Sequence, residues 1–240
     1  MAGVKTELTK VRLNKFLASN TSLSRRKADE AIFSRRVRLN GTIISSPATY
    51  VNSNNDEVML DNRLIATKTK EYLAFYKPKA VLTSYEREGE KRCLSDFDEL
   101  KKKKPAYSGR LDYNSEGLIL FSNDGYFIQK LQKPKNKIPK EYLVYTNENL
   151  SETDIKLLEK GITFNGINYM PCKIYKLADR QYSIVLYEGK NRQVRNMIDY
   201  CGKKTRRLIR TKIGCIELKG LNPGDFRQLT ENEIMEVANV

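Results

Sequence analysis

The residues whose types could do chemistry concentrate in AYSGRLDYNSEGLILFSNDG, residues 106–125. Asp112 lies there in a glycine-flanked turn, two residues after Arg110 and just before the apolar run 117–122. A carboxylate presented by a turn on a rigid scaffold can face a cleft and act as a nucleophile or base. It does so only while ionised, and a nearby cation favours that form. Arg195 and Arg192 are candidates for the cation. On a helix they share a face at i and i+3, with Asp199 one turn later, while Val194, Met197 and Ile198 form the opposite, packing face. By spacing alone, an aspartate in a turn is more often a surface or turn-forming residue, and the other reading of the two arginines is a solvated charged helix face. Histidine is absent, which excludes imidazole catalysis and the common histidine metal sites. Cys93, Cys172, Cys201 and Cys215 form no CxxC pair, so no metal or redox motif is indicated.

The 240 residues carry 44 Lys and Arg against 29 acids, a formal net charge of +15. That balance makes a polyanion the leading partner class. Residues 1–41 include Arg25, Arg26 and Lys27 at the start of a helix, then Arg35, Arg36 and Arg38. Helix N-termini and forked arginine donors suit phosphate, although charge runs are commonly solvated faces. Two further clusters run from Lys190 to Lys212 and through Lys130, Lys133, Lys135, Lys137 and Lys140. Three clusters suit a long nucleic-acid backbone better than one small anion. No apolar run reaches membrane-spanning length and the start has no signal-peptide core. A reducing, cytoplasmic setting fits the scattered cysteines, and no membrane partner is expected.

These residues need elements to hold them. The pattern predicts a tail over 1–10, a small helical and hairpin module over 11–65, a linker over 66–71, and a larger domain over 72–240. In the module, Leu13, Phe16 and Leu17 have helical spacing, Ser24 caps a second helix carrying Ala28, Ala31 and Ile32, and Asn40-Gly41 and Asp61-Asn62 turn two hairpins. In the larger domain, strands are expected at 72–76, 117–122 and 142–146, and a strand pair across IYKLADRQYSIVLYE. Ser151 should cap a helix whose apolar residues are Ile155, Leu157 and Leu158 and which Gly161 can end, and a helix should span 190–201. Residues 86–105 read as a charged surface loop with a short helix. The tail predicts a strand, a turn at Pro223-Gly224 and a terminal helix. The fold class is α+β.

The stretch RLNKFLASNTSLSRRKADEAIFSRRVRLNG resembles the alpha-L RNA-binding domain first seen in a small-subunit ribosomal protein. GRLDYNSEGLILFSNDG resembles the catalytic signature of bacterial ribosomal RNA pseudouridine synthases. Four more segments match in order: YKPKAVLTS, with Ala80 for the usual glycine; KEYLV; EGKNRQVRNM; and GLNPGDFRQLTENEI. Two further departures are Lys133-Pro134, where relatives often have His-Pro, and Asn196, where they often have a second arginine. The resemblance covers about residues 11–236. It implies a small alpha-L RNA-binding domain followed by a synthase domain with a mixed, mainly antiparallel sheet flanked by helices.

The resemblance also implies the chemistry. Asp112 starts the isomerisation of a uridine to pseudouridine, either adding to the anomeric carbon or assisting elimination to a glycal. Arg195 is its cationic partner. Tyr142 stacks on the target base and removes the ring-carbon proton. Arg110 fills the gap left by the flipped-out uridine. Lys140, Lys190, Arg192, Arg25, Arg26, Lys27, Arg35 and Arg38 contact RNA. No atom is gained or lost, so no cofactor is implied. The expected partner is structured RNA, ribosomal RNA or an assembling ribosomal subunit, met by a monomer. RQVR preceded by Asn191 resembles the large-subunit enzymes. The alternatives are a small-subunit ribosomal RNA target and a non-catalytic RNA-binding or ribosome-assembly protein.

Overall fold

The computed structural model describes residues 10–53 and 55–239. The chain divides into two units that part between Lys70 and Glu71. In the first unit, helices α1 (Leu13–Asn20) and α2 (Arg25–Phe33) pack Leu13, Phe16, Leu17, Ala28, Ala31 and Ile32 against Val37, Val51 and Val58. The Ser24 hydroxyl accepts from the Lys27 amide and closes the N-terminus of α2. Val37–Leu39 pairs with Thr42–Ile44 across Asn40-Gly41, and Val58–Leu60 with Arg63–Leu64 across Asp61-Asn62. All four turn residues have positive φ, which is why these dipeptides make tight hairpins. Of the expected tail, only Lys10 falls within the described residues. It opens a strand, Lys10–Arg12, that pairs with Tyr50–Asn52.

The second unit is built on β1 (Tyr72–Lys77), β2 (Glu116–Ser122), β3 (Lys140–Thr146), β4 (Lys173–Ala178), β5 (Gln181–Leu186), β6 (Thr205–Ile213) and β7 (Phe226–Gln228). They lie in the order β4-β5-β3-β6-β2-β1-β7, lengthened by the short strands Ala106–Tyr107 and Ile216–Glu217. Along that order every pair is antiparallel except β2 with β6. Helices α3 (Gly125–Gln132), α4 (Glu152–Lys160), α5 (Gln193–Tyr200) and α6 (Glu231–Asn239) accompany it. The architecture is α+β with a mixed, mainly antiparallel sheet. Alternate residues of β2 enter two cores. Ile119 and Phe121 join Phe75, Val144, Met197 and Ile198, while Leu118 and Leu120 join Ala74, Phe127 and Leu131. Both faces of β2 are covered, so it reads as a continuous apolar run rather than an alternating one.

The inner face of α4 is carried by Leu158 and Ile155, and Leu157 is exposed. Two expectations need correction. Residues 86–105 do not form a simple surface loop. Leu94 and Leu100 are buried, and Phe97 packs edge-on against Phe75 at 4.9 Å. Their short elements, Leu94–Asp96 and Asp98–Lys101, are too brief to show a period among the charges. Helix α5 begins at Gln193, because Arg192 sits at its cap in the left-handed region. Finally, Ile162–Phe164 and Ile167–Tyr169 form a hairpin across Asn165-Gly166 that the sequence reading missed, although its signal matches that of Asn40-Gly41.

One cross-strand row organises the sheet. Gly117 on β2 stands opposite Lys77 on β1 and opposite Arg210 on β6, and Arg210 stands opposite Tyr142 on β3. Directly opposed residues project to the same face. Lys77 is fully buried, donating to the carbonyls of Pro78 at 2.8 Å and Val81 at 2.7 Å. Burial lowers its ammonium to about 8. Arg210 Nε donates to the Leu118 carbonyl at 2.7 Å. At Gly117, φ is +112°, and a Cβ there would lie 2.3 Å from the Arg210 carbonyl oxygen. After β1, Ala80 has φ +60°, a conformation that favours glycine, and its amide donates to the Tyr113 carbonyl at 2.8 Å.

Gly117→Ala therefore combines backbone strain with a backbone clash and should destabilise by about 3 kcal/mol or more, read by urea unfolding. Ala80→Gly should stabilise by a few tenths to about 1 kcal/mol, the left-handed penalty less the added chain entropy. Lys77 adds a pH dependence. Its folded pKa of about 8 lies below the ordinary value. Between the two values the unfolded chain binds a proton that the folded chain does not, so stability rises with pH. Lys77→Met should flatten that rise by about 1.4 kcal/mol per pH unit.

Candidate active site

Asp112 opens the turn that feeds β2, its carbonyl accepting from the Ser115 amide at 3.0 Å. The turn is held from three sides. Ala80 holds the Tyr113 carbonyl. The buried Thr83 hydroxyl donates to the Leu111 carbonyl at 2.7 Å and accepts from the Leu111 amide at 3.1 Å. Arg195 Nη2 donates to the Asn114 carbonyl at 3.1 Å and to Ser115 Oγ at 3.2 Å. Arg195 Nη1 reaches the Thr205 carbonyl at 3.4 Å. The catalytic candidate thus rests on a backbone with little freedom to move.

Its carboxylate faces two guanidinium groups. Arg192 Nη1 and Arg195 Nε each lie 3.9 Å from Asp112 Oδ2. That distance allows Coulomb attraction but exceeds a hydrogen bond. Arg195 Nε is buried without a hydrogen-bond partner. Burial, and then the neighbouring Arg192, hold the Arg195 guanidinium below its ordinary value, while Asp112 and Asp199 favour its charged form. The site therefore keeps a carboxylate in a cationic field without locking it into a bidentate bridge. Glu116 makes the contrast. Arg207 grips both its oxygens, at 2.8 and 3.0 Å, and Tyr76 adds a third bond. Arg207 holds the Glu116 carboxyl below its usual range.

The other expected residues distribute unevenly. Arg110, Lys140, Tyr142, Lys190 and Arg210 line one cleft of about 260 Å³. Tyr142 is 8% exposed, half in the core and half on the cleft wall. Lys140 is partly buried, and burial, reinforced by Arg210, pulls its ammonium down to about 8. Lys190 is already engaged. It pairs with Glu188 at 3.2 Å, donates to the Asn168 carbonyl and lies over the Tyr169 ring. In the first unit, Arg25, Arg26, Lys27 and Arg35 are exposed, and Arg38 turns its guanidinium onto the Gly41 carbonyl at 3.1 Å. The basic run 190–212 is not one surface: Arg207, Lys203, Lys204 and Lys212 each hold a carboxylate, and Arg210 is buried.

Several residues at the site escaped the sequence reading. Lys77 was read only as part of a matching segment and Arg210 only as one of a basic cluster, and their registry opposite Gly117 reveals their place. Thr83 carries no sequence signal for its role. Tyr113 follows Asp112 directly, with Lys91 Nζ 5.6 Å from its ring centroid. Asn196, at the departure from two arginines, donates to the Tyr169 hydroxyl at 2.8 Å and ties α5 to the neighbouring hairpin. Lys133 and Pro134 line the cleft. Among the described residues no helix is long and apolar enough to cross a membrane.

With this geometry in place, known proteins supply the comparison. The family model described as RNA pseudouridylate synthase matches residues 71–200, and the S4 domain model matches residues 11–58. The chain is 32% identical to an uncharacterised RNA pseudouridine synthase of Aquifex aeolicus, over 96% of this chain and 94% of that protein. It is 31% identical to the ribosomal large subunit pseudouridine synthase B of Bacillus subtilis, over 93% of each chain. It is 34% identical to the dual-specificity RNA pseudouridine synthase RluF of Escherichia coli, over 95% of this chain and 78% of that one. A crystal structure of a pseudouridylate synthase superposes with a TM-score of 0.68 at 30% identity, covering 95% of this chain and 99% of that one. The chain belongs to the RNA pseudouridylate synthase family and carries an S4 domain in front of its synthase domain.

Proposed function

We propose that this protein isomerises a specific uridine of large-subunit ribosomal RNA to pseudouridine, with Asp112 as the essential group. The observation that carries the reading is the Asp112 carboxylate, 3.9 Å from two guanidinium groups and free of any bidentate bridge, in a chain of this family. Residues 11–65 grip structured RNA, through Arg25, Arg26, Lys27, Arg35 and Arg38. Residues 66–71 link this module to the catalytic domain, 72–240. The large-subunit target is supported by the Bacillus subtilis relative. The protein acts as a cytoplasmic monomer on ribosomal RNA or an assembling subunit.

In the proposed reaction the bond from uracil N1 to C1′ breaks and the base departs with the electron pair. Asp112 either takes its place on C1′ or accepts the proton whose loss gives a glycal. Both routes require the ionised carboxylate, and Arg195 and Arg192 lie 3.9 Å from it. The base turns and C5 bonds to C1′, as the Asp112–C1′ bond breaks or as Asp112 returns its proton to C2′ of the glycal, and Tyr142 removes the C5 proton while N1 gains one. Arg110 fills the gap left in the RNA by the flipped nucleotide. Lys140, Lys190 and Arg192 contact the strand. Atoms balance without a cofactor.

Mapping pseudouridines in ribosomal RNA with and without the gene tests the assignment. The expected result is one site lost from large-subunit RNA. A loss confined to small-subunit RNA would overturn the target, and no loss in any RNA would favour a non-catalytic RNA-binding protein. For the first unit, Arg25→Ala with Arg26→Ala should weaken RNA binding and reduce its salt slope by about two, one for each phosphate that is no longer neutralised. An unchanged slope would remove that surface from the interface.

A further inference from the structure

In the cleft that Tyr142 lines, three cations stand without a carboxylate of their own. Arg110 stands exposed on the rim, Lys140 lies partly buried in the wall, and Arg210 is 2% exposed behind it. Among the described residues none of the three has an ion-pair partner. Elsewhere in this unit Arg207 holds Glu116, Lys212 holds Glu217 and Arg227 holds Glu233, while the buried Lys77 is met by two carbonyls. Glu188 is the acid that lines the cleft, and it is occupied. It accepts from the Met170 amide and Gln193 Nε2, both at 2.8 Å, and pairs with Lys190 at 3.2 Å.

Arg210 supplies a second, independent observation. Its Nε is satisfied by the Leu118 carbonyl, but its Nη2 is buried with no hydrogen-bond partner among the described residues. A buried donor left unpaired is costly, and two desolvated like charges in contact are costlier still. Burial together with Arg210 holds Lys140 well below its ordinary value. An anion entering the cleft would relieve all three conditions at once. An apolar residue at Lys140 or Arg210 would relieve them too, so two cations in the wall beside Tyr142 point to a ligand.

We propose that the Lys140–Arg210 wall is a phosphate subsite that receives one phosphodiester of the RNA strand, with Arg110 closing on it from the rim. The ligand is a phosphodiester because the strand proposed above offers that anion in every nucleotide, and because forked guanidinium donors match its oxygens. The inference rests on the RNA substrate reading. It adds to that reading a chemical group, a place for it and a residue, Arg210, with the base left to Tyr142.

Inorganic phosphate tests the subsite without any RNA. Lysine side-chain NMR of the whole protein, with the Lys140 signal assigned by its disappearance in Lys140→Met, follows the titration of that ammonium. Saturating phosphate should raise the Lys140 midpoint by about one pH unit or more relative to chloride at equal ionic strength, and Arg110→Ala should weaken the response several-fold. An unmoved midpoint overturns the subsite. In the second arm, a single methylphosphonate replaces each phosphate flanking the target uridine in turn. One position should lower wild-type affinity about tenfold yet leave Lys140→Met affinity unchanged. Independent, additive losses at every position also overturn it. Failure to form pseudouridine, with the phosphate response intact, would sink the catalytic reading and leave the subsite standing.

Discussion

The close parallel approach of β2 and β6 at Gly117 is the constraint on which the rest of the site depends. A Cβ at Gly117 would meet the Arg210 carbonyl oxygen at 2.3 Å, so the two backbones can pair there only through glycine. That pairing fixes a row in which Lys77, Arg210 and Tyr142 emerge on one face. The same strand begins just beyond the Asp112 turn, so a single contact sets the tyrosine and two buried cations in one row and anchors the strand that follows the carboxylate. Thr83, Ala80 and Arg195 then hold the turn against the sheet end.

Electrostatics divides the molecule into neutralised and open regions. On the other face of β2, Glu116 is gripped at both oxygens and works as a structural tie between β1, β2 and β6. At the site, Arg195 directs its hydrogen bonds to the backbone of the turn and leaves Asp112 in its field at 3.9 Å. Orientation comes from the hydrogen bonds, while the guanidinium charge acts on the carboxylate without tying it. A carboxylate tied as Glu116 is tied would have to break those bonds before meeting a sugar carbon. In the adjoining cleft the imbalance runs the other way, with cations unmatched by acids, as suits a site that receives a polyanion.

The sequence made the local signals plain. Asn40-Gly41 and Asp61-Asn62 announce hairpins because few other residues tolerate their φ angles, and the apolar run of β2 announces burial on both faces. Family motifs in their order located Asp112, Tyr142 and Arg195, and the structure brings Asp112 and Arg195 together. What stayed hidden depends on registry across distant strands. Lys77 and Arg210 are 133 positions apart and show no sign of their shared place until Gly117 is seen between them. Arg192 was placed on a helix by spacing, but its left-handed backbone sets it at the cap. The side chain still reaches Asp112, by a route that helical periodicity does not encode. Ala80 looked like a departure from a motif, and its positive φ gives the physical reason for the usual glycine.

Purified Asp112→Asn provides the most direct test, since it keeps the shape of the turn and removes only the charge. With the ribosomal RNA substrate, it should form no pseudouridine while its RNA affinity stays within several-fold of the unaltered protein. Turnover persisting in Asp112→Asn would contradict the account, because a neutral amide between Arg192 and Arg195 can neither attack the sugar nor take its proton.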